Sequence, residues 1–163
     1  MRIEFVEASK RWKRALPARK LAKAAIAAAL EESGATLRRG VEVSVHLIDD
    51  EQIRAINSQW RQQEAPTNVL SFPATDANHL AEARLLGDVL ISYDTLQREA
   101  EEEGKSVSDH YSHLVVHGFL HLLGYDHIVK AEAETMEQLE VRALAKLGVA
   151  DPYAERELAD AAA

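Results

Sequence analysis

The sequence of 163 residues contains no cysteine, which excludes disulfide bonds and every zinc site built from thiolates. Any metal must therefore be bound by His, Asp or Glu side chains. Long apolar runs are also missing: residues 111–125 are free of Asp, Glu, Lys and Arg, but this stretch is too short to span a bilayer. The N-terminal residues lack the apolar segment of a signal peptide. These absences predict a soluble, cytoplasmic protein that has no membrane partner.

Positive charge is scarce, since 19 Lys and Arg residues stand against 27 Asp and Glu residues, for a net charge of −8. The charge is uneven: residues 1–75 carry a net charge of +3 and residues 76–163 a net charge of −11. An acidic total argues against non-specific binding to nucleic acid, and DNA is not an expected partner. The basic residues near the N-terminus fit a solvated helix face, although they could still contact phosphates: Lys10, Arg11, Lys13, Arg14, Arg19, Lys20 and Lys23.

The spacing of apolar residues predicts an α+β fold with a single sheet of about four strands packed against about five helices. We expect one domain over residues 1–150, with a frayed or disordered tail over residues 151–163. The expected strands are Arg2–Val6, Val41–Ile48, Val69–Phe72 and Leu85–Ser92, and residues 74–84 are expected to form a loop. The first expected helix runs from Pro17 to Gly34, and the second begins at Asp49 or Asp50 and carries Ile53, Ile56 and Trp60. The other three are Tyr93–Glu103, Ser106–Leu123 and Lys130–Leu147.

Three histidines in the segment HGFLHLLGYDH have the spacing of a zinc site of the zincin type. His117 and His121 are one turn apart in the predicted central helix, so their imidazoles project from one face and can reach one ion. Gly124 allows the chain to end the helix and turn back, which returns His127 to the same ion. Three neutral imidazoles leave a fourth tetrahedral position for water, the arrangement of a catalytic zinc site. The remaining candidates, His46, His110 and His113, are interpreted as structural.

Gly118 occupies the position at which the HExxH peptidases carry their general base. Glycine cannot take a proton from a zinc-bound water, so peptide hydrolysis by that route is disfavoured. Hydrolysis of a phosphodiester depends less on such a base, because the metal can activate water and neutralise charge on a phosphoryl oxygen. A cationic side chain would then stabilise the charge that develops at phosphorus.

The segment HGFLHLLGYDH, preceded by HLVV, strongly resembles the signature of the YbeY family of bacterial metal-dependent endoribonucleases, also called rRNA maturation factors. The segment INSQWRQQEAPTNVLSFP is similar to the central segment of that family, and LGDVLIS is similar to the strand that follows it. The three blocks occur in the order and spacing of the family, from about Val43 to Leu147. This chain has Asn68 where many members have aspartate, and we assign that position no role.

The resemblance implies a single-strand-specific endoribonuclease that acts in processing ribosomal RNA, notably at the 3′ end of the small-subunit rRNA, and in ribosome quality control. It implies one Zn²⁺ per chain, bound by His117, His121 and His127, and it places the functionally important arginine of the family at Arg61. The implied partners are single-stranded RNA and the ribosome or its assembly proteins. A planar guanidinium can hold a phosphate with two hydrogen bonds, which suits that role. Asp126, next to His127, could either orient an imidazole or lie in the turn without a role at the site.

Two other functions are compatible with the sequence. One is a zincin-type metallopeptidase, against which Gly118 argues. The other is a non-catalytic ribosome-assembly factor whose zinc is structural, against which an open coordination position would argue.

Overall fold

The computed structural model describes residues 1–62 and 67–154. Its strands are β1 (Arg2–Glu7), β2 (Glu42–Ile48), β3 (Val69–Pro73) and β4 (Leu85–Ser92). Its α-helices are α1 (Ala18–Ser33), α2 (Asp50–Arg61), α3 (Tyr93–Glu103), α4 (Val107–Leu122) and α5 (Lys130–Lys146). Two short 3₁₀ helices, Lys10–Trp12 and Ala77–Glu82, lie in segments for which the sequence predicted no helix, and the second corrects the loop expected over residues 74–84.

The four strands form one sheet in the order β1-β2-β4-β3, in which the first three strands are parallel and β3 is antiparallel to β4. Alternation in β2 places Val43, Val45 and Leu47 in the main core, and the polar side chains between them face the other side. The predicted single-sheet α+β fold is therefore confirmed. Residues 155–163, most of the predicted tail, lie outside the described residues.

Helix α4 lies at the centre of the molecule, packed on β3 and β4 and flanked by α1, α3 and α5. Its apolar side chains Val115, Val116, Phe119 and Leu120 are buried in the main core. A central helix held by so many neighbours is a rigid element, which suits it to positioning functional side chains.

Helix α2 covers part of the opposite face of the sheet, where Ile53 packs with Ile48, Leu70 and Leu90 in a smaller cluster. The helix begins at a capping box in which Asp49 accepts from the backbone N of Gln52 at 2.9 Å. Within the described residues, no helix is both long enough and apolar enough to cross a membrane.

Candidate metal centre

The structure brings together the three histidines that the sequence predicted as metal ligands. His117, His121 and His127 each offer a ring nitrogen, and these nitrogens all lie within 4.8 Å of one another. The Nε2 atoms of His117 and His121 are 3.1 Å apart. Two ligands bound tetrahedrally at about 2.0–2.1 Å would be about 3.3 Å apart, so the arrangement fits a metal ion of zinc size. Among the described residues, these three histidines are the group of His, Asp and Glu side chains that is arranged to hold a metal ion.

Local backbone geometry explains how His127 reaches the two helical histidines. Helix α4 ends at Leu122 with Leu123 as its C-cap, and Gly124 follows with a φ of 101°, a conformation that glycine adopts at little cost. The backbone N of Tyr125 then donates to the carbonyl O of Leu120 at 3.1 Å, which closes the turn. The predicted reversal of the chain at Gly124 is present, and it carries His127 back beside the helix.

Glu140 on α5 holds the ring of His117 in an orientation that could bind a metal. Its Oε1 accepts from His117 Nδ1 at 2.7 Å, which leaves Nε2 of that ring free to bind a metal. Its Oε2 accepts from His113 Nε2 at 2.9 Å and also from the hydroxyl of Tyr153. Burial raises the pKa of Glu140, but the hydrogen bonds from His113 and His117 outweigh that effect and bring the pKa to about 2. The side chain is therefore a buried carboxylate at neutral pH, with negative charge next to the metal ligands.

The surroundings of His121 favour its neutral form, which is the form that could bind a metal. Its pKa is lowered by burial first, and then by the proximity of His117 and His127. A neutral imidazole keeps a lone pair for a metal, whereas a protonated one cannot bind it.

Glu140 was not found from the sequence, which offered Asp126 either as the side chain orienting an imidazole or as a residue of the turn. Asp126 Oδ1 accepts from the backbone N of His127 at 2.7 Å, but it lies 4.0 Å from the ring Nδ1. Asp126 therefore shapes the turn. A weak signal for Glu140 existed in the sequence, namely a single acidic residue among the apolar positions of α5, between Leu139 and Val141.

The three histidines line a cleft of about 650 Å³ together with Arg61. Arg61 is the last residue of α2, and it is exposed. No ion pair joins it to another side chain among the described residues. The sequence-predicted arginine and the predicted metal ligands thus face one cavity, although they come from opposite sides of the sheet.

Gly118 lies where α4 packs closely on the sheet. A Cβ atom at this position would come within 2.7 Å of Val89 and within 3.2 Å of both Ser71 and Val69. The Ser71 hydroxyl also donates to the Gly118 carbonyl at 2.9 Å. Any larger residue here, glutamate included, would require Val89 to shift, so the packing of α4 on β3 and β4 disfavours the general base of the zinc peptidases.

One solved structure has a fold similar to that of this chain. The solution structure of TM1509 from Thermotoga maritima has a TM-score of 0.57 to this chain at 23% identity, covering 89% of this chain and 91% of that one. This likeness supports the fold.

Closer relatives share about half of their residues with this chain. The endoribonuclease YbeY of Bradyrhizobium sp. (strain BTAi1) is 57% identical over 123 residues, covering 73% of this chain and 73% of that protein. The endoribonuclease YbeY of Rhodopseudomonas palustris (strain BisA53) is 54% identical over 122 residues, covering 73% of this chain and 71% of that protein. The family model described as endoribonuclease YbeY matches residues 6–148. This chain therefore belongs to the YbeY family of endoribonucleases.

Proposed function

We propose that this endoribonuclease is a zinc enzyme that cuts single-stranded RNA, with His117, His121 and His127 as metal ligands and Arg61 as the residue that binds the reacting phosphate. The observation that carries the proposal is the single cleft lined by all four side chains. We assign the activity to one domain spanning residues 1–150. In this assignment each chain binds one Zn²⁺.

The choice of zinc rests on the ligand set. Imidazole suits zinc, copper, iron and nickel, and three imidazoles with an open fourth position are typical of catalytic zinc sites. When bound, zinc would activate water and neutralise charge on a phosphoryl oxygen. The protein holds His121 neutral, and the Glu140 carboxylate fixes the Nδ1–H tautomer of His117. The ligands are therefore arranged before the metal arrives.

Arg61 serves the phosphodiester in this proposal. Its guanidinium is exposed at the cleft and has no ion-pair partner among the described residues, so it is available to an anion. A planar fork of donors can bind two phosphate oxygens at once and stabilise the negative charge that grows on them in the transition state.

We propose the cellular role from the resemblance of the sequence to the YbeY family. We assign the chain to the maturation of ribosomal RNA, notably the 3′ end of the small-subunit rRNA, and to ribosome quality control in the cytoplasm. Its partners would be single-stranded rRNA and the ribosome or its assembly proteins. DNA and membranes are not expected partners.

The two other functions are not favoured. A zincin-type peptidase needs a glutamate at position 118, where this chain has glycine and where a Cβ atom would force Val89 to shift. A structural zinc site is closed by four protein ligands, whereas this group has three and opens onto a cleft.

The test compares Arg61→Ala and Arg61→Lys with Arg54→Ala, a change of an exposed arginine seven residues earlier on the same helix that does not line the cleft. Arg61→Ala should keep its zinc and fold but cut single-stranded RNA about 10²–10³ times more slowly. Arg61→Lys should recover only part of the rate, because a point charge cannot reproduce the fork. Arg54→Ala should match the parent. Cleavage by Arg61→Ala at the parent rate, or zinc loss in that variant, would contradict the role given to Arg61.

A further inference from the structure

The chain has two tryptophans, and they lie in opposite environments. Trp12 is 4% exposed, donates through its indole Nε1 to the carbonyl of Ile48 at 2.8 Å, and packs edge-on against Tyr93 and Tyr111. Trp60 is 67% exposed, and with the described residues it makes no hydrogen bond and no ring contact. Trp12 has the usual place of a tryptophan in a core, and Trp60 does not.

The helical pattern of α2 would place Trp60 in the core. It follows Ile53 by seven residues and Ile56 by four, so it continues their apolar stripe. Ile53 is fully buried and Ile56 packs against the smaller cluster, but Trp60 extends beyond it. Leaving a side chain of this size exposed gives up the stabilisation that burial of its apolar surface would provide. An apolar residue that departs from its own pattern in this way is a candidate for binding.

Trp60 is adjacent in the chain to a residue that lines the cleft. It directly precedes Arg61, whose side chain lines the cleft with the three histidines. A second segment contributes exposed apolar side chains as well, since Ile128 lines the cleft and is 83% exposed, and Val129 is 56% exposed. Three of the six large apolar side chains that the described structure exposes thus belong to the two chain segments that contribute Arg61 and Ile128 to the cleft, and the others are Met1, Val6 and Leu85.

We propose that Trp60 stacks on a base of the RNA substrate, in a nucleotide next to the phosphate that Arg61 binds. This inference rests on the proposed function of the cleft. Unpaired bases present an open π face, and stacking on an exposed aromatic ring is how many proteins bind single strands regardless of sequence. Adjacent residues at the end of a helix can then contact adjacent parts of one nucleotide chain, the guanidinium a phosphate and the indole a base. In a duplex the bases are already paired and stacked, so Trp60 would favour single strands.

Binding is measured with the zinc-loaded protein and a short single-stranded RNA that has phosphorothioate linkages, so that it is bound without being cut. Trp60→Ala should weaken this binding roughly 5- to 150-fold, because stacking contributes about 1–3 kcal/mol per base. Trp60→Phe should keep most of the affinity, and Trp60→Leu, which is apolar but has no π face, should lose it. Val6→Ala is the matched control, an exposed apolar change on β1 at the far edge of the sheet from β3, and it should bind like the parent.

A scan of the RNA with single abasic nucleotides tests the stacking contact itself. In the parent, one position should weaken binding when its base is removed, and in Trp60→Ala the same removal should cost nothing. Binding of duplex RNA should be the same in both proteins. If the abasic profile of Trp60→Ala equals that of the parent, Trp60 does not stack on the substrate and its exposure fits a protein partner instead. If the parent neither binds nor cuts single-stranded RNA, it is the proposed function of the cleft that fails.

Discussion

His110 and His113 lie in the first half of helix α4, and His117 and His121 lie in the second half. His110 and His113 each direct Nε2 to a carboxylate, Glu99 and Glu140 respectively, at 2.9 Å. The Nδ1 atoms of these two rings are buried and have no hydrogen-bond partner among the described residues. In the second half, His117 directs Nδ1 to a carboxylate, and its Nε2 faces the Nε2 of His121.

The comparison is sharpest between His113 and His117, which share one carboxylate. Glu140 accepts from Nε2 of the first ring and from Nδ1 of the second. The Nε2 atom of His113 is therefore occupied by the carboxylate, whereas the Nε2 atom of His117 stays available to a metal. Residue type and helical spacing do not show which of these histidines could bind a metal. What distinguishes them is which ring nitrogen is hydrogen-bonded to the carboxylate.

The largest expected effect comes from removing a ligand in the second half. His117→Ala, His121→Ala and His127→Ala, each made separately, should lose most of the bound metal, because two imidazoles hold an ion far less tightly than three. His110→Gln, on the same helix, should keep about one metal ion per chain. Elemental analysis of proteins purified without added metal measures both. Full occupancy in His117→Ala, or metal loss in His110→Gln, would remove the distinction between the two halves.

A smaller effect is expected from the shared carboxylate. Glu140→Gln keeps the shape of the side chain but removes its charge and sets an amide against His117 Nδ1, which disturbs the tautomer that binds metal. Metal affinity should fall about 10- to 100-fold, as is typical when the partner of a metal-binding histidine is changed. Competition with a chelator gives the affinity, and ¹⁵N NMR of the imidazoles reports the tautomer directly.

The control for Glu140→Gln is Asp126→Asn. Asp126 is closer to a ligand in sequence but contacts the backbone of His127 in preference to its ring. Its metal affinity should stay within about threefold of the parent, since the imidazole keeps its surroundings. Equal losses in the two variants would mean that any nearby negative charge suffices and that the bond to Nδ1 is not special.

The sequence predicted the parts of the site that depend on local geometry. His117 and His121 are one helical turn apart and His127 follows a helix-ending glycine, so spacing alone brings them together. Glu140 is 23 residues beyond His117 on another helix, and only the packing of α5 on α4 joins them. Arg61 comes from the opposite face of the sheet, and its place in the cleft was predicted from the resemblance to the family.

Predictions of the fold succeeded where local sequence patterns decide the structure and failed where tertiary packing decides it. The strand Leu85–Ser92 and the helix Tyr93–Glu103 have the predicted ends, because strong local patterns and a glycine mark them. The exposure of Trp60 could not be predicted, because its spacing matches the buried stripe and only the extent of the smaller cluster decides its environment. The contact of Asn68 with Glu99, through Nδ2 at 3.0 Å, likewise depends on how β3 and α3 are placed.

The smallest expected effect tests the first half of α4, where the histidines are assigned to stability. Burial raises the pKa of Glu99, but hydrogen bonds from His110 and Asn68 outweigh it, so the folded protein lowers the pKa below its ordinary value of 4.5. A carboxyl group with a lowered pKa stabilises the fold above its unfolded pKa, and this contribution is lost as the pH falls below 4.5 through the folded pKa. Glu99→Gln should therefore destabilise the protein by about 1–2 kcal/mol at pH 7, since it weakens a hydrogen bond to a charged group. The thermal unfolding temperatures of parent and variant should differ by several degrees at pH 7 and converge well below pH 4.5.

The control for Glu99→Gln is metal content, which should be the same in both proteins, because Glu99 contacts none of the three ligands. A loss of metal in Glu99→Gln would show that the two halves of α4 are coupled, and a stability difference that grows towards low pH would show that Glu99 stabilises the fold in its protonated form.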